Sequence, residues 1–177
     1  MQKASAASLK ALEKDLLQVN KQIDTLIKTD EELNRLFNLL TSMAGIGAVT
    51  ATQFILTTQA FSEGKNAKQF VPAGNRSYPG VAPFPYQSGS SLRGRTKVSP
   101  MADKQMKTLL HLAARGAIRT KGELQDYYQR KVKEAVPRRD KNKMSVLNAV
   151  RNKLVLRVFA VVSKNQKYDK NYTYFLY

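Results

Sequence analysis

An apolar seam near the amino terminus constrains this chain more than any other feature. Leu9, Leu12, Leu16, Val19, Ile23 and Leu26 are spaced 3-4-3-4-3, and Leu33, Phe37 and Leu40 continue the register, with Asp30 at its one polar position. A stripe repeating every 3.5 residues specifies a helix, and a seam this narrow stays dry only when another helix lies along it. Residues 1–40 therefore read as a coiled-coil arm. A second copy of the chain is the expected partner, and an intramolecular helical hairpin is the alternative. Thr29-Asp-Glu-Glu32 is a capping-box pattern, so a new helix is expected to begin there. The six carboxylates of this stretch fall at helix-surface spacing and do not suggest a metal site.

Charge separates the arm from the rest. Residues 1–63 carry 6 basic and 7 acidic side chains (net −1), whereas residues 64–177 carry 24 and 6 (net +18). The excess therefore lies wholly in the second part, which points that part toward a polyanion and leaves the first a structural task. At 177 residues and 42% hydrophobic content the chain suits one ordinary domain with an extension. It has no cysteine, which excludes disulfides and thiolate metal sites. Residues 1–15 lack an apolar signal-peptide core, and the apolar run from Leu154 to Val162 is too short for a bilayer and is broken by Arg157. No membrane role is expected, and the absence of cysteine is compatible with a reducing cytoplasm.

Met43-Ala-Gly-Ile-Gly-Ala-Val-Thr-Ala51 falls between two helical patterns, near 31–43 and 48–59. Gly45 and Gly47 there are similar to a helix-hairpin-helix turn, in which glycines let a phosphate approach the N–H groups of the next helix. A plain interhelical turn explains them equally well. Residues 62–100 read as a long Gly/Pro/Ser-rich loop, holding five of the six prolines. Within it, Tyr86-Gln-Ser-Gly-Ser-Ser-Leu-Arg-Gly-Arg-Thr-Lys-Val-Ser99 combines serine hydroxyls with Arg93, Arg95 and Lys97. Cations beside a serine are what attack on a phosphodiester needs, because charge builds on the phosphoryl oxygens. On chemistry alone a basic loop that only holds phosphate is the simpler reading. His111, the only histidine, lies in the apolar run Leu109-Leu-His-Leu-Ala-Ala114, so it reads as a packed structural residue and not a triad member.

Helices are further expected over Ala102–Ala117, Gly122–Val132 and Met144–Ser163, with Arg151, Lys153 and Arg157 on the polar side of the last. Residues 169–177 form an aromatic tail. The fold class is thus mainly α: an arm at 1–40, then a helical domain over 41–168 that carries a long basic loop.

Several segments, taken in order, match one family. Leu40-Thr-Ser-Met-Ala-Gly-Ile-Gly-Ala-Val-Thr-Ala51, Tyr78-Pro-Gly-Val-Ala-Pro83, Tyr86-Gln-Ser-Gly89, Lys97-Val-Ser99, Lys107-Thr-Leu-Leu-His-Leu-Ala-Ala114, Gly122-Glu-Leu-Gln-Asp-Tyr-Tyr128 and Lys141 through Leu154 are its pieces. Over about residues 30–168 the chain resembles the carboxy-terminal half of the IS-one-ten family of insertion-sequence transposases, which includes the pilin-gene invertases. The resemblance implies that Ser88, in the Gln-Ser-Gly motif, is a nucleophile that forms a phosphoserine link to DNA; Ser90, Ser91 and Ser99 lie outside that motif. It also implies a preceding acidic nuclease-like domain that binds Mg²⁺, so no cofactor is expected within these 177 residues. Structured RNA guides some members, which makes guide RNA a second candidate partner beside DNA. Lys104, Lys107, Lys141, Lys143 and Arg151 complete the cations expected to hold nucleic acid, together with Gly45, Gly47, Arg93, Arg95 and Lys97.

Two loops depart from the family pattern, at Pro72–Ser77 and Glu134–Asp140. The larger departure is that the sequence leaves no room for an acidic domain, so it reads as an excised carboxy-terminal half or a gene remnant. Whether it is an enzyme is left open. No general base for Ser88 is visible, and the chain alone is expected to bind nucleic acid without completing strand exchange. The alternatives are a non-catalytic nucleic-acid-binding module and an oligomerisation module.

Overall fold

The computed structural model describes residues 2–61, 67–70, 79–81, 83–88, 92–98, 102–134 and 143–169, of which 2–4, 68–69, 83–88 and 92–98 are described by their backbone. In chain order the elements are α1 (Gln2–Thr29), α2 (Glu31–Thr41), α3 (Ala48–Thr57), α4 (Ala67–Phe70), β1 (Pro83–Ser88), β2 (Leu92–Val98), α5 (Lys104–Ala117), α6 (Glu123–Lys133) and α7 (Lys143–Lys164). The protein is mainly α, as its sequence pattern implies. No described helix is long and apolar enough to cross a membrane.

The heptad register is interrupted at Asp30. Its backbone is extended (φ −92°, ψ 119°), and its carboxylate accepts from the Leu33 N–H at 2.9 Å as the N-cap of α2. The cap falls one residue later than a box on Thr29 would put it, because the Thr29 hydroxyl donates back to the Leu26 carbonyl at 3.1 Å. The break also divides the seam in two. Of the seam, Leu40 is buried and Leu33 and Phe37 are half-buried in α2, where Leu36 and Leu39 beside them enter the core. In α1 the seam is exposed but for half-buried Ile23, and only Ile27, off the seam, is buried among residues whose side chains are described.

That core is built around α7, against which α2, α4, α5 and α6 all rest. Val150, Leu154, Val155 and Val158 are fully buried there with Leu36, Leu40, Phe54, Met106 and Leu110. Four-residue α4 contributes Phe70, whose ring lies 6.0 Å from Phe54 and 5.3 Å from Phe159, centroid to centroid. The polar face expected of α7 is not wholly solvated: Arg151 and Arg157 are both buried. Arg157 reaches the Glu123 carboxylate and the Tyr168 hydroxyl, so its charge has partners.

α5 and α7 lie side by side and run the same way. His111 of α5 meets Arg151 of α7, and farther along both helices Ala117, Leu154 and Arg157 line one small cavity.

Part of the segment expected to be loop is a β-hairpin. β1 and β2 pair antiparallel, with Pro83 opposite Val98 at the root and Ser88 opposite Leu92 at the tip. Phe84 faces Lys97 but Tyr86 faces Gly94, so β2 holds one extra residue opposite Pro85. Proline lacks the N–H that a regular ladder needs at that point, which makes a bulge there understandable.

Candidate nucleic-acid interface

The hairpin has two roots, and both are fixed to the α5–α7 pair. Ahead of β1, Pro79 and Val81 are fully buried, with Gly80 turning between them at φ +59°. A side chain rarely adopts that conformation, so glycine suits the turn. The Asn148 side-chain amide of α7 donates to the Val81 carbonyl at 2.7 Å. After β2, Ala102 is buried and Asp103 caps α5, its carboxylate accepting from the Met106 N–H at 2.6 Å.

This geometry gathers most of the expected cations at one end of the molecule. Lys104 and Lys107 lie in the opening turn of α5 and Lys143 begins α7; the first and last are exposed and Lys107 is half-buried. Arg93, Arg95 and Lys97 lie along β2, and Ser88 ends β1. Neither α5 nor α7 has an acidic residue in its first turn. Lysines at the positive end of a helix dipole are unfavourable by themselves and become favourable beside an anion. The side chains of Ser88, Arg93, Arg95 and Lys97 lie outside the described residues, as do Lys141, Ser90, Ser91, Ser99, the two departing loops at 72–77 and 135–140, and 170–177 of the tail.

Arg151 departs from the surface role expected of it. Its relative exposure is 6%, its Nη2 lies 2.9 Å from the His111 Nδ1, and its Nε has no hydrogen-bond partner among the described residues. Burial lowers its pKa from the ordinary arginine value. The same contact explains His111. Burial, then the charges of Arg151 and Arg115, hold its pKa below the usual histidine value, and a neutral ring can accept from the guanidinium through Nδ1.

Gly45 and Gly47 lie at the opposite end, in the turn joining α2 to α3. They are there for different reasons. Gly45 has φ +89°, and a Cβ on it would stand 2.2 Å from the Ala113 carbonyl oxygen and 2.9 Å from the Ala117 nitrogen. Close packing on α5 therefore demands this glycine, with Gly116 just across the contact. Gly47 is exposed, has open space around it, and is the N-cap of α3 with no side-chain cap. Two cations missing from the sequence-based set, Arg115 and Arg119, are exposed where α5 ends beside this turn. Their spacing along the sequence carries no signal of that neighbourhood, which arises only from the packing of Gly45 on α5.

The sequence profile described as the transposase IS116/IS110/IS902 family matches residues 37–129, just over half of the chain. The chain belongs to this family. The transposase match begins within α2, takes in the α2–α3 turn, the hairpin and α5, and ends within α6, so that α7 lies beyond it. Two curated relatives, the pilin gene-inverting proteins of Moraxella bovis and Moraxella lacunata, are each 28% identical to it over 155 residues. That alignment covers 88% of this chain but only 45% of each relative, so the chain spans about half their length. Among the described residues no three His, Cys, Asp or Glu side chains come together to hold a metal ion.

Proposed function

We propose that this transposase chain grips DNA at the hairpin end and presents Ser88 there as the nucleophile of strand cleavage. The observation that carries the reading is the joining of three elements at one end. Two parallel helices open there with lysines and no acidic residue in their first turns, α5 behind its Asp103 cap, beside a strand bearing Arg93, Arg95 and Lys97. An anion is what relieves that arrangement. In the cleavage step the Ser88 Oγ–phosphorus bond forms as a phosphorus–oxygen bond to deoxyribose breaks. The serine proton passes to a general base supplied from outside this chain, and the departing sugar oxygen is protonated. The cations hold the phosphoryl oxygens as charge builds on them. Structured RNA offers the same phosphate chemistry and is the second candidate occupant of this surface.

A trapping assay tests the reading. The chain is mixed with an element-end DNA carrying a suicide nick, with and without the acidic domain in trans, and run on a denaturing gel. A covalent band lost in Ser88→Ala is expected only with the acidic domain present. Salt-sensitive binding with no covalent band under either condition supports the binding-module reading instead.

The exposed seam of α1 favours an additional role in assembly. Leu9, Leu12, Leu16 and Leu26 are each more than 60% exposed, and a second copy of α1 would cover them. Sedimentation of a variant lacking residues 1–28 checks this: a loss of mass class is expected, and an unchanged oligomeric state removes the idea.

A further inference from the structure

We propose that Asn148 is a positioning residue that holds the serine-bearing hairpin in place through the Val81 carbonyl. The inference rests on the reading of Ser88 as the nucleophile. The bond joins residues 67 positions apart at 2.7 Å, and Val81 lies two residues before the first residue of β1. Among the described elements, β1 and β2 make their extensive contacts with each other, and the described anchors of the hairpin are at its roots. The β2 root is fixed through the Asp103 cap of α5. At the β1 root Pro79 and Val81 are buried, and Pro83 has no N–H to add another bond.

Asn148 also stands on a firm base. It lies one turn from both Met144 and Arg151, and Arg151 is itself held by His111 of α5. The tether therefore ties the hairpin to the α5–α7 pair as a unit. The geometry makes the root matter. Six residues of extended strand reach about 20 Å, so a rotation of about 10° at the root moves the tip by roughly 3 Å. A misplacement of about 1 Å at a reacting group can cost a hundredfold in rate. A residue that only satisfied a buried carbonyl would affect stability and leave the tip alone.

The test uses Asn148→Asp, which keeps the shape but puts a carboxylate against the carbonyl, and Asn148→Gln, which keeps the amide donor. In the 177-residue chain, amide exchange is expected to quicken at least tenfold in 83–88 and 92–98 in the Asp variant, with α5 and α7 still protected, and to be partly restored in the Gln variant. With the acidic domain in trans, the rate of the covalent band is expected to fall at least tenfold, more than DNA affinity does. Unchanged exchange in the hairpin overturns the proposal, as does an equal loss of protection throughout α5 and α7. If the Asp variant does not fold, Asn148→Ala removes the donor without adding charge and is read in the same way. A native chain that gives no Ser88-dependent band removes the nucleophile reading alone, and the exchange measurement still decides the tether.

Discussion

α1 and α7 are the two longest helices, and they use apolar side chains in opposite ways. In α1, Leu9, Leu12, Leu16, Leu17, Val19 and Leu26 are all about half exposed or more. In α7, ten residues are buried, two of them arginines. Both helices carry regularly spaced leucines and valines, so hydrophobicity alone does not separate them. The difference is supplied by neighbours. α7 is enclosed by four other helices, while α1 contacts the body through its carboxy-terminal end. A helix enclosed on several sides draws even its cations inward. A helix with a single narrow seam waits for one partner.

The largest effect that sharpens this contrast is expected from truncating the buried helix. Leu154→Ala should destabilise the protein by about 2–5 kcal/mol in denaturant unfolding, as for other fully buried leucines. Next comes the cap at the start of the neighbouring helix: Asp103→Ala should cost about 1 kcal/mol by the same measurement.

His111 provides a smaller, pH-dependent effect. Its pKa is lowered on folding, so below the unfolded value of about 6.5 the unfolded chain takes up a proton that the folded chain resists. The contribution is complete above that pH and is lost as the pH falls toward the folded pKa. Melting temperature should decline on acidification from pH 7.5 to 5, and less steeply in His111→Gln, which keeps an acceptor for Arg151.

Leu12→Ala should have the smallest effect, within about 0.5 kcal/mol for the chain at low concentration. A loss there as large as that of Leu154→Ala would break the comparison, because α1 would then be as covered in solution as α7.

Much of the helical plan was legible in the sequence. The periodicity marks α5, α6 and α7 to within a few residues, and Thr29-Asp-Glu-Glu32 marks the start of α2 to within one. The hairpin was not legible, for local reasons. Pro83-Phe-Pro-Tyr-Gln-Ser88 and Leu92-Arg-Gly-Arg-Thr-Lys-Val98 are poor in β-branched residues and rich in turn signals, and their pairing contains a bulge. The burial of Arg151 and Arg157 was hidden for another reason. Their partners, His111, Glu123 and Tyr168, are 11 to 40 residues away, and no helical period records them. In the sequence Gly45 suits a phosphate contact or a plain turn equally well, and what its missing side chain admits is the backbone of α5.

The length of α5 has a consequence for what the molecule can measure. The hairpin roots lie at its beginning, and the turn bearing Gly47 lies against its end. Its 14 residues make a rod about 21 Å long. A duplex advances about 3.4 Å per base pair, so this rod corresponds to about six base pairs. In the proposed grip, with the Gly47 turn taken as a second phosphate contact, a shorter oligonucleotide would meet one end or the other, whereas a longer one would span both. Affinity plotted against duplex length should therefore rise in a step near that size, with α5 serving as the molecule's ruler.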